Sequence, residues 1–256
     1  SPGGATDIIA RALAQKLTDV FGQQVVVDNR AGGGGTIAAM MAAKSPPDGY
    51  TMLMGTISTL ATNVSTYKNL PYDPLHDFAP VTLAAATPYF VTVNAGMPST
   101  LKDFIALAKS KPGQINFGSS GAGGGAHLSA ELFRSMAGIE MTHVPYKGGG
   151  PALNDLIGGH VSMMFGTILE TMPQVRNGRL RGLAVTSASR VAYAPELPTV
   201  IEDGMPGYDV TGWYAFLAPA GTPNAIVATL NSEMTRILGS AAVKERFLAM
   251  GDRKST

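Results

Sequence analysis

The residues best suited to chemistry lie in the run Thr142-His143-Val144-Pro145-Tyr146-Lys147-Gly148-Gly149-Gly150-Pro151-Ala152-Leu153-Asn154-Asp155-Leu156. It reads as the end of a strand, a glycine turn and the start of a helix. Proline fits the first turn of a helix, where a missing N–H costs nothing. Glycine lets backbone N–H groups approach a ligand without a Cβ in the way. Together with the unpaired donors and partial positive charge of a helix N-terminus, this makes a socket for a carboxylate or phosphate. The same residues also make an ordinary tight turn with no ligand.

Further glycine-rich turns favour the socket. Ser1-Pro2-Gly3-Gly4-Ala5-Thr6-Asp7 leads into an amphipathic helix, and Gly118-Ser119-Ser120-Gly121-Ala122-Gly123-Gly124-Gly125-Ala126-His127 follows the apolar Ile115-Asn116-Phe117. In open α/β folds such loops gather at the carboxyl ends of the strands, where ligands bind. One small anion held from several sides is the expectation.

Other chemistries fit less well. Gly121 to Ala126 satisfies the loose dinucleotide pattern G-x-G-x-x-G/A, but the acidic partner, Glu140, precedes its strand instead of ending it. Ser119 and Ser120 lie in a turn like a nucleophile elbow, with the second glycine misplaced. His127 or His143 would have to be the base. His76, His127, His143 and His160 are isolated, with no metal-ligand spacing. No carboxylate pair suggests acid–base work. Asp7 reads as a helix N-terminal acid or a brace for its loop, and Lys147 as a cation for the anion or a solvated side chain. A site rich in N–H and O–H donors and poor in reactive groups describes a receptor. The competing reading is an α/β enzyme, a nucleotide-dependent oxidoreductase or a hydrolase, using the Ser119–Ala126 loop.

Composition agrees. Charged residues are only 14% of the 256, against a usual quarter, and the net charge is +1. Basic residues are scattered, which disfavours nucleic acid. The absence of cysteine excludes disulfides and thiolate metal sites. No apolar run has the length to cross a bilayer.

Positioning these loops requires alternating strands and helices. A helical stripe from Asp7 to Phe21, capped by Thr6 or Asp7 and stopped by Gly22, precedes a short strand at Gln24–Asp28. Thr36–Lys44 reads as a helix and Tyr50–Met54 as a strand leading to the hydroxyls of Thr56 and Ser58. A proline-punctuated segment, Leu70–Pro74, connects to Phe78–Leu83, Tyr89–Val93 follows as a strand, and Ser99 caps a helix from Thr100 to Lys109. Then come Ile115–Phe117, a helix from Ala126 to Met136 with Leu128, Leu132, Phe133 and Met136 on one face, and Met141–Val144. The Pro151–Ile157 helix, Val161–Phe165, a helix near Leu169 and Leu180–Thr186 complete that series. Val210–Leu217 carries the one tryptophan, Trp213, and helices begin at Thr222-Pro223 and Ala241, the last ending at Met250. Repeated β-then-α units indicate parallel sheets covered by helices. Breaks near Tyr89–Pro98 and Trp213–Pro219 point to a hinge of two crossing strands. The expected lobes are 1–95 with 219–256, and 96–218, with a ligand cleft between them.

These motifs resemble the periplasmic substrate-binding receptors of tripartite tricarboxylate transporters, the Bug family. The matching pieces are Pro2-Gly3-Gly4-Ala5-Thr6-Asp7, Val26-Val27-Asp28-Asn29-Arg30-Ala31-Gly32-Gly33-Gly34 and Ala43-Lys44-Ser45-Pro46-Pro47-Asp48-Gly49-Tyr50-Thr51. They continue with Leu70-Pro71-Tyr72-Asp73-Pro74, the His143–Ala152 run and Trp213-Tyr214-Ala215-Phe216-Leu217-Ala218-Pro219-Ala220-Gly221-Thr222-Pro223. The resemblance implies a two-lobed, type II-like Venus-flytrap α/β fold. It implies a receptor without cofactor or metal that captures a small carboxylate in the periplasm of a Gram-negative bacterium. Its partners would be membrane permease subunits, and a signal peptide would not be in this chain. By position, one ligand carboxylate falls to Gly3, Gly4, Thr6 and Asp7 and to Tyr146, Lys147, Gly148 and Gly149. The rest of the ligand reaches toward Thr56 and Ser58, Ser119 and Ser120, and Gly166 and Thr167, with His127 a further candidate.

The chain departs from the family pattern in the strand expected before the first loop and in the stretch expected after Gly251. It also has Gly166 where many relatives carry aspartate. Loss of that acid argues against an amino acid and is expected to open room for a dicarboxylate, or an aromatic or bulky monocarboxylate.

Overall fold

The protein is described by a computed structural model covering residues 2–249. In chain order the elements are α1 (Ala5–Phe21), α2 (Thr36–Ala43), β1 (Leu53–Thr56), α3 (Asn63–Thr66), β2 (Phe78–Asn94), α4 (Leu101–Ser110) and β3 (Ile115–Ser119). Then follow α5 (Gly125–Ala137), β4 (Met141–Pro145), α6 (Gly149–Gly158), β5 (Met163–Thr167), α7 (Ile168–Arg176) and β6 (Leu180–Val185). The series ends with β7 (Thr211–Pro219), α8 (Asn224–Leu238) and α9 (Ala241–Ala249). Ser1, Met250 and the stretch after Gly251 lie outside the described residues.

These elements form two compact units, one running through Ala86 and resuming at Trp213, the other Thr87–Gly212. The chain passes between them inside β2 and inside β7. The boundaries expected at 95/96 and 218/219 lie near the far ends of these same strands.

In the first unit, Ile9, Leu13 and Leu17 recur every four residues and are buried along α1. Gly22 ends that helix in the left-handed conformation, as expected. The N-cap is Gly4, not Thr6 or Asp7: its carbonyl accepts the Ile8 N–H and its backbone is extended. Asp7 is instead the third residue of the helix. β1 and β7 pair antiparallel, Leu53 opposite Leu217, so the parallel pairing expected throughout does not hold here. A core of Ala39, Ala42, Leu53, Tyr72, Phe78 and Leu217 backs them. The strand expected at Gln24–Asp28 is absent. Among the described residues no strand pairs with it, Val26 is exposed, and the Val25 N–H is taken by the Thr18 hydroxyl. A strand's backbone groups need such a ladder.

The second unit is the βα series proper. β3 pairs parallel with β4 on one side and with β5 on the other. β2 lies antiparallel between β5 and β6. Parallel pairing is therefore interrupted by one reversed strand, the long β2, of which only Tyr89–Val93 was expected as a strand. Phe104, Phe117, Phe133, Phe165 and Tyr208 fill the core. On α5 the buried face is Ala126, Ser129, Ala130 and Phe133, while Leu128, Leu132 and Met136 are exposed, so only Phe133 of the expected stripe points inward. Thr100, not Ser99, caps α4, its hydroxyl accepting the Asp103 N–H.

Candidate functional site

In the second unit the parallel strands β3, β4 and β5 lie side by side and point the same way, so the loops after them emerge along one edge. Each loop runs directly into a helix: Ser119 through Gly124 into α5, Tyr146 through Gly148 into α6, and Thr167 into α7. The first two are tied together, the Tyr146 N–H donating to the Ser119 carbonyl at 3.0 Å. The topology thus brings helix N-termini, with their free N–H groups, to one edge of the sheet.

The α6 loop has the expected strand–glycine–helix form, with a shifted start. The helix begins at Gly149, before Pro151, which still lies in the first turn. Gly148 caps it with φ 118°, a conformation side chains rarely adopt. Gly149 is needed for a different reason. The carboxylate of buried Glu170 packs against it, and a Cβ there would stand 2.1 Å from Oε1. The other carboxylate oxygen accepts the Thr167 N–H at 3.3 Å. One internal carboxyl group therefore sits at the first turns of both α6 and α7, where helix N-termini favour negative charge. Nothing in the sequence pairs Glu170 with Gly149; their meeting is tertiary.

Tyr146 is half-buried, and its hydroxyl donates to Asp155 Oδ2 at 2.6 Å, bracing the loop against its own helix. Burial and then Asp155 push this hydroxyl up to about 12. Lys147 is exposed. Gly166, buried in β5 opposite Phe90, opens no room: a Cβ there would meet Thr171 Cγ2 at 2.2 Å. The expectation of added space is thus corrected. Thr171 fills it, its hydroxyl donating to the Thr167 carbonyl at 3.0 Å.

The β3–α5 loop hangs from two histidines. Ser119 is fully buried; its Oγ lies 2.7 Å from His143 Nε2 and also meets both the N–H and the carbonyl of Gly121. The His143 ring stacks on His127 at 3.8 Å and on Phe117 at 4.9 Å. His127 Nδ1 accepts the Gly123 N–H at 2.9 Å. Ser120 is half-exposed. A serine hydroxyl on an imidazole is the start of a nucleophile pair, but this one is sealed from solvent and serves the turn. His143, taken as a core histidine, is half-buried and bonded to that serine.

In the first unit, Asp7 organises the glycine loop. Its Oδ2 accepts the Gly3 N–H at 3.0 Å, and its Oδ1 takes Arg11 Nε at 2.9 Å and Asn29 Nδ2 at 2.7 Å. Burial raises its carboxyl, but the hydrogen bonds from Asn29, Gly3 and Arg11 outweigh this and hold it below the usual carboxylate range. The expected brace is what is found. Asn29 is the partner sequence reasoning missed as a functional contact, though it sits in one of the family motifs. Gly3 is exposed, Gly4 buried and Thr6 half-buried. At the end of β1, Thr56 and Thr59 exchange hydrogen bonds, the Thr56 N–H donating to Thr59 Oγ1 at 2.9 Å. Ser58 opens a π-type turn, Ser58–Thr62, that runs into α3 and had no distinct sequence signal. Buried Asn63 of α3 donates to the Gly34 carbonyl, tying this turn to the glycine run. Among the described residues no group of histidine and acidic side chains is placed to hold a metal, and no helix is long and apolar enough to cross a membrane.

Two α/β units joined through two strands, with donor-rich helix N-termini, have the form of a solute-binding protein of the two-lobed periplasmic type. Solved structures agree. An R. palustris protein solved with adipate superposes at a TM-score of 0.95 with 40% identity, covering 98% of this chain and 84% of that one. MatC from Rhodopseudomonas palustris, solved with bound malate, gives 0.92 with 32% identity, covering 98% of this chain and 86% of MatC. BugT of Bordetella pertussis is 40% identical over 252 residues, 98% of this chain and 77% of BugT. Residues 9–254 match the receptor of the tripartite tricarboxylate transporter family. The chain belongs to that family, which consists of receptors and not enzymes; the enzymatic reading of the Ser119–Ala126 loop is overturned.

Proposed function

We propose that this chain is a periplasmic receptor that takes up a small carboxylate, a dicarboxylate or an aromatic or bulky monocarboxylate, and passes it to membrane permease subunits. The place of action would be the periplasm of a Gram-negative bacterium. The observation that carries the reading is the edge of the second unit, where three helix N-termini follow adjacent parallel strands. Relatives solved with adipate and with malate support the ligand class. The proposed ligand donors in the second unit are Ser120, the Tyr146–Gly149 backbone with Lys147, and Thr167. Those in the first are Gly3, Gly4 and Thr6, with Thr56 and Ser58. Asp7, Ser119 and Gly166 take the supporting roles described above. Without an acid at Gly166 there is no partner at that point for an ammonium group, which disfavours amino acids.

The test is a thermal-shift and calorimetric screen of adipate, malate, citrate, benzoate derivatives, aspartate, glutamate, NAD and ATP. A ligand at about 100 times its dissociation constant stabilises the fold by about 2.7 kcal/mol, which is readily seen. A response confined to carboxylates supports the reading. Tight binding of aspartate or glutamate alone, or of NAD alone, overturns it.

A further inference from the structure

His127 is the third residue of α5, and the loop it faces is its own N-terminal approach. Because Nδ1 accepts the Gly123 N–H, the ring is held as the tautomer with its proton on Nε2, which points toward Glu131 Oε1 at 3.7 Å. Glu131 is itself gripped by Arg134 at 2.7 and 3.0 Å. The face of the ring lies on His143 from β4, and beyond it is Phe117 from β3. The loop is thus fastened at both ends, by Ser119 on His143 and by Gly123 on His127.

A proton on His127 would undo one fastening. Nδ1 would change from acceptor to donor and face another N–H. The new charge would sit in the first turn of a helix, the end that disfavours cations, and against a second imidazole. Glu131 on the same helix opposes these effects, but it already serves Arg134. Burial is the largest influence and lowers the affinity of His127 for a proton, with Glu131 raising it and Arg134 lowering it. His143 is pushed down to about 4, by burial first and then by His127, against Glu131. The neutral pair and the closed loop therefore belong together.

We propose that His127 is the positioning residue of the Ser119–Gly124 loop, a latch that holds Gly123 while neutral and frees the loop when protonated, so that acid weakens ligand binding. The consequence for binding rests on the reading that Ser120 of this loop meets the carboxylate; the latch itself does not.

The test uses the full chain, its His127→Asn variant, which keeps an acceptor at the δ position but cannot gain a proton, and its His127→Phe variant, which keeps a stacking ring without the acceptor. Hydrogen exchange at the Gly123 amide is followed against the NMR titration of His127, and adipate affinity is measured at about pH 7.5 and at a pH below the midpoint of that titration, which burial sets under the ordinary histidine value. The wild type loses Gly123 protection by about tenfold as His127 titrates, the scale of one lost hydrogen bond. His127→Asn stays protected throughout, and His127→Phe shows the reduced, acid-like protection at both pH values. Adipate affinity follows the same pattern in the three proteins. A Gly123 amide indifferent to His127 protonation, or an unchanged pH profile in His127→Asn, overturns the latch. Gly123 behaving as described in a protein that binds no adipate supports the latch and counts against the adipate-like ligand.

Discussion

The carboxylate of Glu170 occupies the space that a side chain on Gly149 would need. These residues open adjacent helices, so the contact locks the first turn of α6 to that of α7. The approach is too close for a methyl group, and Glu170 is buried, with one oxygen on the Thr167 N–H. Gly149→Ala is therefore expected to cost about 1–3 kcal/mol, the range for an overpacked site. Urea denaturation would measure it. Combined with Glu170→Ala, the two losses should add to less than their sum, with a coupling of about 1 kcal/mol or more. Simple additivity would show that the two groups do not meet.

Gly166 and Thr171 make the same argument in β5. The methyl of Thr171 fills the position of a Cβ at Gly166, so Gly166→Ala is expected to destabilise by about 1–3 kcal/mol. Thr171→Ser removes that methyl and keeps the hydroxyl that reaches the Thr167 carbonyl. The double variant should recover most of the loss. No recovery in thermal denaturation would mean that the strand backbone, not Thr171, excludes the side chain.

These pairs show where sequence reading stops. The βα order, the two-strand crossing and the glycine loops were legible, because apolar periodicity and glycine placement are local signals. Pro151 announced a helix start that the structure puts at Gly149. The Leu128–Leu132–Met136 stripe misled: helical spacing shows that residues share a face, but not which face the core takes, and here Ala126, Ala130 and Phe133 are inside. Gln24–Asp28 has strand composition without a strand partner among the described residues. Glu170 against Gly149, and His127 against His143, join residues far apart in the chain, and no spacing rule relates them. The donor-rich loops could be read; what already fills or fastens each one could not.

Tyr146 illustrates the difference for binding. Its hydroxyl is engaged by Asp155 at 2.6 Å within its own loop and helix. Tyr146→Phe should cost about 1–2 kcal/mol of stability, as expected for a hydrogen bond to a charged acceptor, while carboxylate affinity changes little. Calorimetry on the variant separates the roles. A large loss of affinity with unchanged stability would put the hydroxyl on the ligand instead.

Asp7 should act as a brace with a charge requirement. Asp7→Asn keeps the shape but places an amide before donors from Arg11 and Asn29 and the Gly3 N–H. These donors are exposed or half-buried and can turn to water, so the loss is expected to be about 0.5–1.5 kcal/mol, the scale of a net hydrogen bond. Because the folded carboxyl lies below its ordinary value of 3.8, its contribution is present above that pH and is lost as pH falls through the folded value. Acid denaturation of the wild type should therefore steepen below pH 3.8, and that component should vanish in Asp7→Asn. A variant with the wild-type acid limb would contradict this assignment.

The histidine pair sets a milder acid limit. His143 falls from an ordinary 6.5 to about 4 in the fold, chiefly through burial and then through His127. The unfolded chain takes up a proton first as pH falls, so stability is full above 6.5 and declines progressively down to about 4. His143→Phe retains an aromatic surface against Phe117 and His127 and leaves Ser119 its contacts with Gly121. At neutral pH the variant should lose about 1 kcal/mol, the scale of the missing hydrogen bond, yet its stability should fall less between pH 6.5 and 4 than the wild type's. Urea midpoints across that interval would show the two curves converging in acid. Parallel curves would mean that His143 carries no proton linkage.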